Sequence, residues 1–415
     1  MNDGKKLTFK DYAKALGPGA IMSAAIIGPG TVTTASTQGA SYGYTALWIL
    51  LLACVIAYFF QEPATRISIG CKESVMVGVR EHINPGVAKF LWIVLFVGSI
   101  AFQAGNLSGA SMALTYFFPG TTYLLWAVVM SALALVIVLL NRYKIIENVN
   151  QVLIILMVLA FVLTACTSGP NVGDMLTEGF SFKIPGGNAI LAVSLLATTV
   201  TPNLVLGYSG FLRKKYPDSN QPRTDIKLAK ADLGLNMVVT FLITGAIIVC
   251  AGTLLHPQGI TVSSAADMAM QLTPLLGRFA GIFFSLGLWA AAVSSVLYQV
   301  SIHNMLFPPA FKLDEDPRAK HNIIVTCLVV LVPIILIVIF GSSPVQLIIA
   351  AQALNGIALP MVCIISWILC NKKSLLGEFV NNTRQNVIMG IVTLCTLVFA
   401  VNAFYSVVKN LIAMF

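Results

Sequence analysis

Eleven apolar runs, each close to the length of a bilayer crossing, dominate this 415-residue chain. A helix needs roughly 20 apolar residues to cross a hydrocarbon layer about 30 Å thick. The runs lie near residues 15–38, 43–66, 88–114, 121–141, 145–167, 185–211, 230–254, 268–305, 321–341, 344–370 and 385–412. The eighth is long enough that one end should lie outside the hydrocarbon. Hydrophobic residues make up 57% of the chain and charged residues only 10%. A soluble domain of this size carries roughly a quarter of its residues as charged side chains. The expected fold is an all-α polytopic membrane protein, and lipid is its solvent.

The segments between runs test this division. With the N-terminus in the cytoplasm, the inner segments hold Lys5, Lys6, Lys10, Lys14, Arg66, Lys72, Arg80, Lys89, Arg142 and Lys144. They also hold Arg213, Lys214, Lys215, Arg223, Lys227, Lys230, Lys312, Arg318, Lys320, Lys372, Lys373 and Arg384. Only Lys183, Arg278 and Lys409 fall outside. That asymmetry is the positive-inside rule, and one missed or invented span would scramble it. The expectation is a multi-pass protein of the plasma membrane, N-terminus inside and C-terminus outside. The net charge of +9 then reflects orientation and contact with anionic lipid, with no nucleic-acid partner. The first run has no small-x-small exit and leads into further spans, unlike a cleavable signal peptide. The eight cysteines form no CxxC pair and read as small buried apolar residues.

Two spans carry helix-breaking motifs near mid-membrane: Ile27-Gly28-Pro29-Gly30-Thr31 in the first and Thr198-Thr199-Val200-Thr201-Pro202-Asn203 in the sixth. Proline removes an N–H and clashes with the carbonyl four residues back. Carbonyls freed in this way are tolerated in a membrane only where they line a wet or ion-filled site. Gly and Pro also make plain kinks in membrane helices. Two breaks at matched places in two five-helix halves, each beside Thr or Asn, favour a substrate site. The polar linker from Lys214 to Lys227 joins the halves. The single membrane domain, 1–415, therefore divides into repeat one near 12–167, repeat two near 185–370 and an extra helix near 385–412.

Several motifs resemble the Nramp family of divalent-metal transporters, and more closely its divergent branch of Nramp-related magnesium transporters. They are Leu16-Gly17-Pro18-Gly19, Gly39-Ala40-Ser41-Tyr42-Gly43-Tyr44-Thr45-Ala46-Leu47-Trp48, Tyr143-Lys144-Ile145-Ile146-Glu147, Ser294-Ser295, and Gln352 followed by Leu359-Pro360. The resemblance implies a LeuT-like 5+5 inverted repeat with about eleven transmembrane helices. It also implies a metal ion held between the breaks of helices one and six. The departures fall on the ligands. The family's Asp-Pro-Gly-Asn in span one is here Gly28-Pro29-Gly30-Thr31, and its Ala-x-x-Met-Pro-His in span six has Thr198, Thr201 and Asn203 at the Ala, Met and His positions. Gln103 and Asn106 stand where the family has acidic residues for proton release.

The chemistry left by these changes can be read from the residues themselves. A thioether favours transition metals, and a hydroxyl in its place removes that preference. Thr31, Thr198, Thr201, Asn203 and Gln352, with carbonyls at Gly28 and the two breaks, offer hard neutral oxygens. Mg²⁺ dehydrates reluctantly and accepts ligands through its waters, which suits such a set, although it usually also has one or two carboxylates. No acid lies at either break. Gln103, Asn106 and Asn203 cannot titrate, so a proton path would be lost. Glu62 reads as an ion-pair partner of Arg66 one turn on, Glu147 and Asp232 as gate or headgroup partners, and His303 as a hydrogen-bonded helix-end histidine.

The function expected is facilitated uptake of Mg²⁺ or Mn²⁺ by alternating access without protons, the metal being substrate and no cofactor being required. The alternatives are a transporter of a non-metal solute on the same fold, or a transport-inactive membrane sensor. No catalytic motif points to an enzyme. The expected partners are the bilayer and a small cation, with no obligate protein partner.

Overall fold

Proline opens many of the helices, because its missing N–H falls where an intrahelical donor is not needed and its fixed φ suits a first turn. The computed structural model describes residues 26–139, 158–183, 189–316, 318–340 and 344–412, besides Thr8, Asp11, Tyr12, Ala15, Ile155 and Leu156. Helices α1 (Pro29–Tyr42), α2 (Leu47–Thr65), α3 (Pro85–Phe117) and α4 (Tyr123–Leu139) come first. Next are α5 (Val158–Thr167), α6 (Ala189–Thr199), α7 (Pro202–Lys215) and α8 (Pro222–Leu254). The chain goes on through α9 (Ala280–Phe311), α10 (Lys320–Phe340), α11 (Pro344–Gly356), α12 (Leu359–Cys370) and α13 (Thr383–Ile412). No strand occurs among the described residues.

Local sequence explains several boundaries. Asn84 caps α3, its side-chain oxygen accepting from Gly86 N at 2.7 Å. Pro63 sits inside α2, and the helix runs on into a π-turn over Arg66–Gly70. A tight turn, Gly43–Ala46, joins α1 to α2.

Seven continuous stretches among the described residues are long and apolar enough to span a bilayer. One of them, Pro29–Gly70, contains both α1 and α2. The fourth and fifth spans appear as shorter apolar helices, and the sixth is divided between α6 and α7. The arrangement therefore accommodates the eleven spans read from sequence. The Leu16–Gly19 and Tyr143–Glu147 motifs lie outside the described residues, as do most of the first half of span one, the start of span five through residue 154, and residues 184–188 before span six. Span eight has an irregular first end, in line with its length, and span ten differs from expectation. Residues 268–279 do not begin span eight but fold as short helical turns ahead of α9, because Pro274 and Gly277 interrupt them. Span ten is also interrupted, between α11 and α12.

α3 runs through the centre and packs on α9, α11, α10, α4 and α1. α8 covers α1 and α2, while α6 packs on α11, α2 and α1. Outward faces are apolar, as at Phe90 and Val97 of α3, Leu242 of α8, Ile339 of α10 and Phe404 of α13. A continuous apolar exterior is what lipid requires, and the polar side chains gather inside instead. All eight cysteines are free.

Candidate substrate site between broken helices

Both expected breaks are present. In span one the helical residue Ile26 is followed by a bend over Ile27 and Gly28, and α1 begins at Pro29. Gly28 is extended, with φ −93° and ψ −176°. The Thr31 hydroxyl donates back across this break to the Ile26 carbonyl. In span six, α6 ends at Thr199 and α7 begins at Pro202, with Thr201 extended at φ −95° and ψ 137°. Pro202 offers no N–H to the Thr198 carbonyl four residues back. The Thr198 hydroxyl donates to Leu195 O at 2.8 Å, so its lone pairs remain for another partner.

Two other helices close the site. Gln352 of α11 is fully buried and lies directly against Gly30, where any Cβ would overlap its amide. A Cβ on Gly105 of α3 would stand 3.8 Å from Gln352 Nε2, and one on Gly109 would overlap the Pro29 ring. Glycine at 30 and 109 thus allows α1, α3 and α11 to converge at the first break. From the second break, Asn203 of α7 donates through Nδ2 to Ser99 Oγ of α3. One turn along α3, Gln103 Nε2 donates to Val296 O and Gln103 Oε1 accepts from Asn106 Nδ2, both at 3.3 Å.

Thr31, Thr198, Thr201, Asn203, Gln352, Gln103 and Asn106 are all buried. Several of their polar atoms have no hydrogen-bond partner: both amide atoms of Gln352, and Oδ1 of Asn203 and of Asn106. A buried polar atom without a partner costs about 1–3 kcal/mol. Those at the breaks can accept or donate to a further polar partner, and unpaired polar atoms also occur elsewhere inside the bundle, as at Thr33, Gln38 and Ser285. The site is uncharged, and no group of three His, Cys, Asp or Glu able to hold a metal ion occurs among the described residues.

Ser99 was not anticipated from sequence. Its signal is a polar stripe, Ser99, Gln103 and Asn106, at spacings of four and three on an otherwise apolar span, which puts the three on one face of α3. Serine alone is too common in membrane helices to single out.

The acids and the histidine resolve individually. Glu62 is committed as expected: Oε2 accepts from Arg66 Nη2 at 2.8 Å, and Oε1 pairs with Lys230 of α8. Asp232 is buried and bonded to Asn236, 3.0 Å from its Nδ2, so it does not face lipid headgroups. Glu147 lies outside the described residues. His303 is neither at a helix end nor hydrogen-bonded. It lies two turns inside α9, fully buried, with both ring nitrogens unpartnered and its ring edge-on to Trp92 and Phe96. Helical periodicity could place it on an inward face but not in that aromatic cage.

Comparison with known proteins agrees with this geometry. A divalent metal cation transporter from Caldanaerobacter subterraneus subsp. tengcongensis is 25% identical over 391 residues, 93% of this chain and 91% of its own. The manganese transporter of Eremococcus coleocola superposes with a TM-score of 0.80 at 16% identity, covering 98% of this chain and 88% of that one. Mhp1, a nucleobase-cation-symport-1 family transporter, superposes with a TM-score of 0.58 at 14% identity, covering 95% and 93%, which places the fold in the LeuT-like class. The model of the natural resistance-associated macrophage protein-like family matches residues 19–406. The chain belongs to the Nramp family of divalent-metal transporters, as an integral multi-pass membrane protein rather than an enzyme.

Proposed function

We propose that this chain carries Mg²⁺ or Mn²⁺ down its electrochemical gradient by alternating access, without moving protons. The observation that carries the reading is the set of buried, unpartnered amide atoms on Gln352 and Asn203, beside the two breaks, and on Asn106 of α3. These neutral oxygens, with Gly28, Thr31, Thr198 and Thr201, suit an ion that keeps part of its hydration shell, because the waters spread its charge over many weak acceptors. With Thr201 at the thioether position of the family, the preference for soft metals is lost. None of these side chains titrates near neutral pH, which favours uncoupled transport. In this scheme residues near 12–167 and 185–370 form two inverted repeats rocking about the site. The chain sits in the plasma membrane with its N-terminus inside.

A second reading has its own support. A site with no carboxylate is a poor match to a doubly charged ion, and a neutral organic solute would use the same amides as hydrogen-bond partners. A transport-inactive sensor is the third case. Uptake of Mg²⁺ and Mn²⁺ into proteoliposomes carrying an internal pH dye separates these possibilities. The proposal expects metal entry without acidification. Acidification that follows uptake would refute the uncoupled mechanism, and binding without entry would favour the sensor. Neither binding nor entry would favour the organic solute.

A further inference from the structure

Span ten contains a third helix break. α11 ends at Gly356, Ile357 and Ala358 form a turn, and α12 begins at Leu359. Two causes combine. Pro360, in the first turn of α12, cannot donate to the Gly356 carbonyl four residues back. The Ile357 N–H turns to Leu354 O at 3.2 Å, which takes the Ala353 carbonyl out of the helical ladder. Unpaired carbonyls at a helix C-terminus carry partial negative charge and favour a cation.

Asn355 stands at the lip of this break. It is 1% exposed, and its amide nitrogen has no hydrogen-bond partner. It lies three residues beyond Gln352, so the two share a face of α11. Its amide oxygen lies over α3: a Cβ on Gly98 would be 3.0 Å from Asn355 Oδ1. The next residue of α3, Ser99, is the one that holds Asn203. On the other side, a Cβ on Gly356 would be 3.1 Å from Ala197 Cβ, one residue before Thr198. Asn355 thus faces α3 while its neighbour Gly356 meets α6, the two helices that build the site. A purely packing role would be filled as well by leucine, which leaves no polar atom unsatisfied. A half-turn of the amide exchanges its oxygen and nitrogen.

We propose that Asn355 is a specificity-determining residue of the cation site, its amide oxygen acting with the carbonyls freed in span ten in place of the absent carboxylate. This rests on the divalent-cation reading above. The neutral site then draws its negative field from three broken helices instead of two.

The test measures Mg²⁺ and Mn²⁺ uptake in proteoliposomes for the unaltered protein and for Asn355→Leu, Asn355→Gln and Asn355→Asp. Asn355→Leu should raise KM for Mg²⁺ about tenfold, with the maximal rate within about twofold. Asn355→Gln should recover part of the loss, and Asn355→Asp should lower KM and change the Mg²⁺-to-Mn²⁺ preference. Unchanged KM in Asn355→Leu overturns the proposal while leaving the divalent-cation reading intact. If Asn355→Leu does not fold, unchanged KM and preference in Asn355→Asp overturns it equally. Absence of uptake by the unaltered protein overturns the divalent-cation reading itself, and this inference with it.

Discussion

The mid-membrane site and the charged cluster at the end of α2 are both buried and polar, but they are satisfied in opposite ways. In the cluster, Glu62 is shared between Arg66 and Lys230, and Arg66 Nη1 also donates to Phe379 O at 3.0 Å and Asn381 Oδ1 at 2.7 Å. Glu62 thereby ties α2 to α8 through Lys230, and Arg66 ties it to the loop between α12 and α13. In the site, Gln352 has no partner at either amide atom and Asn203 has one at Nδ2 only. An ion-paired cluster holds a conformation together. An unpaired site, on the function proposed here, stores cost that a bound substrate would relieve. Substitution should therefore act on stability in the cluster and on transport in the site.

The largest effect is expected from Glu62→Gln. It removes the carboxylate charge from beside the Arg66 guanidinium, whose side chain is only 4% exposed, and so should cost about 3 kcal/mol of stability in detergent thermal unfolding. Loss of less than about 1 kcal/mol would place the cluster among surface-like pairs and break the contrast. Gln352→Leu should do the reverse. Uptake KM should rise about tenfold, equivalent to about 1.4 kcal/mol, while the melting temperature holds or rises because an unpaired amide is removed. A fall in stability with unchanged KM would make Gln352 a structural residue.

Ser99→Ala should have a smaller effect, raising KM about threefold by freeing the Asn203 amide to rotate, with restoration by Ser99→Thr. The smallest belongs to Glu378, which accepts from Arg223 on the exposed surface. That hydrogen bond and the adjacent guanidinium charge hold the Glu378 carboxyl below its ordinary range. The folded form is therefore favoured above the unfolded carboxylate pKa, and the gain disappears as pH falls through the lower folded value. Because the pair is exposed, Glu378→Gln should leave the pH dependence of unfolding unchanged within error. A clear loss of stability above pH 5 would show that this pair acts with the buried cluster.

Different parts of this molecule were legible in the sequence for different physical reasons. Spans show in the length of apolar runs, since lipid tolerates little else, and the first two breaks show because Pro29 and Pro202 sit inside such runs beside polar residues. The third break carried the same marks, Gly356 and Pro360 flanking an apolar run. The run across it stays apolar enough to pass for one helix, so only Leu359-Pro360 stands out in the sequence, as part of a family motif. Ser99 and Asn355 escaped because their importance comes from neighbours in space, Asn203 and Gly98, which no spacing along one helix reveals. His303 was misplaced for the same reason: its cage is made by Trp92 and Phe96 of a different helix.

The central claim is that a neutral site passes a doubly charged ion and nothing else. The reversal potential of metal current in planar bilayers or patched proteoliposomes tests it most directly. Uncoupled passage of the metal gives a shift of about 30 mV for each tenfold change in Mg²⁺ or Mn²⁺ gradient, as for any two-charge equilibrium, and no shift with a pH gradient. A reversal potential that moves with pH would contradict it.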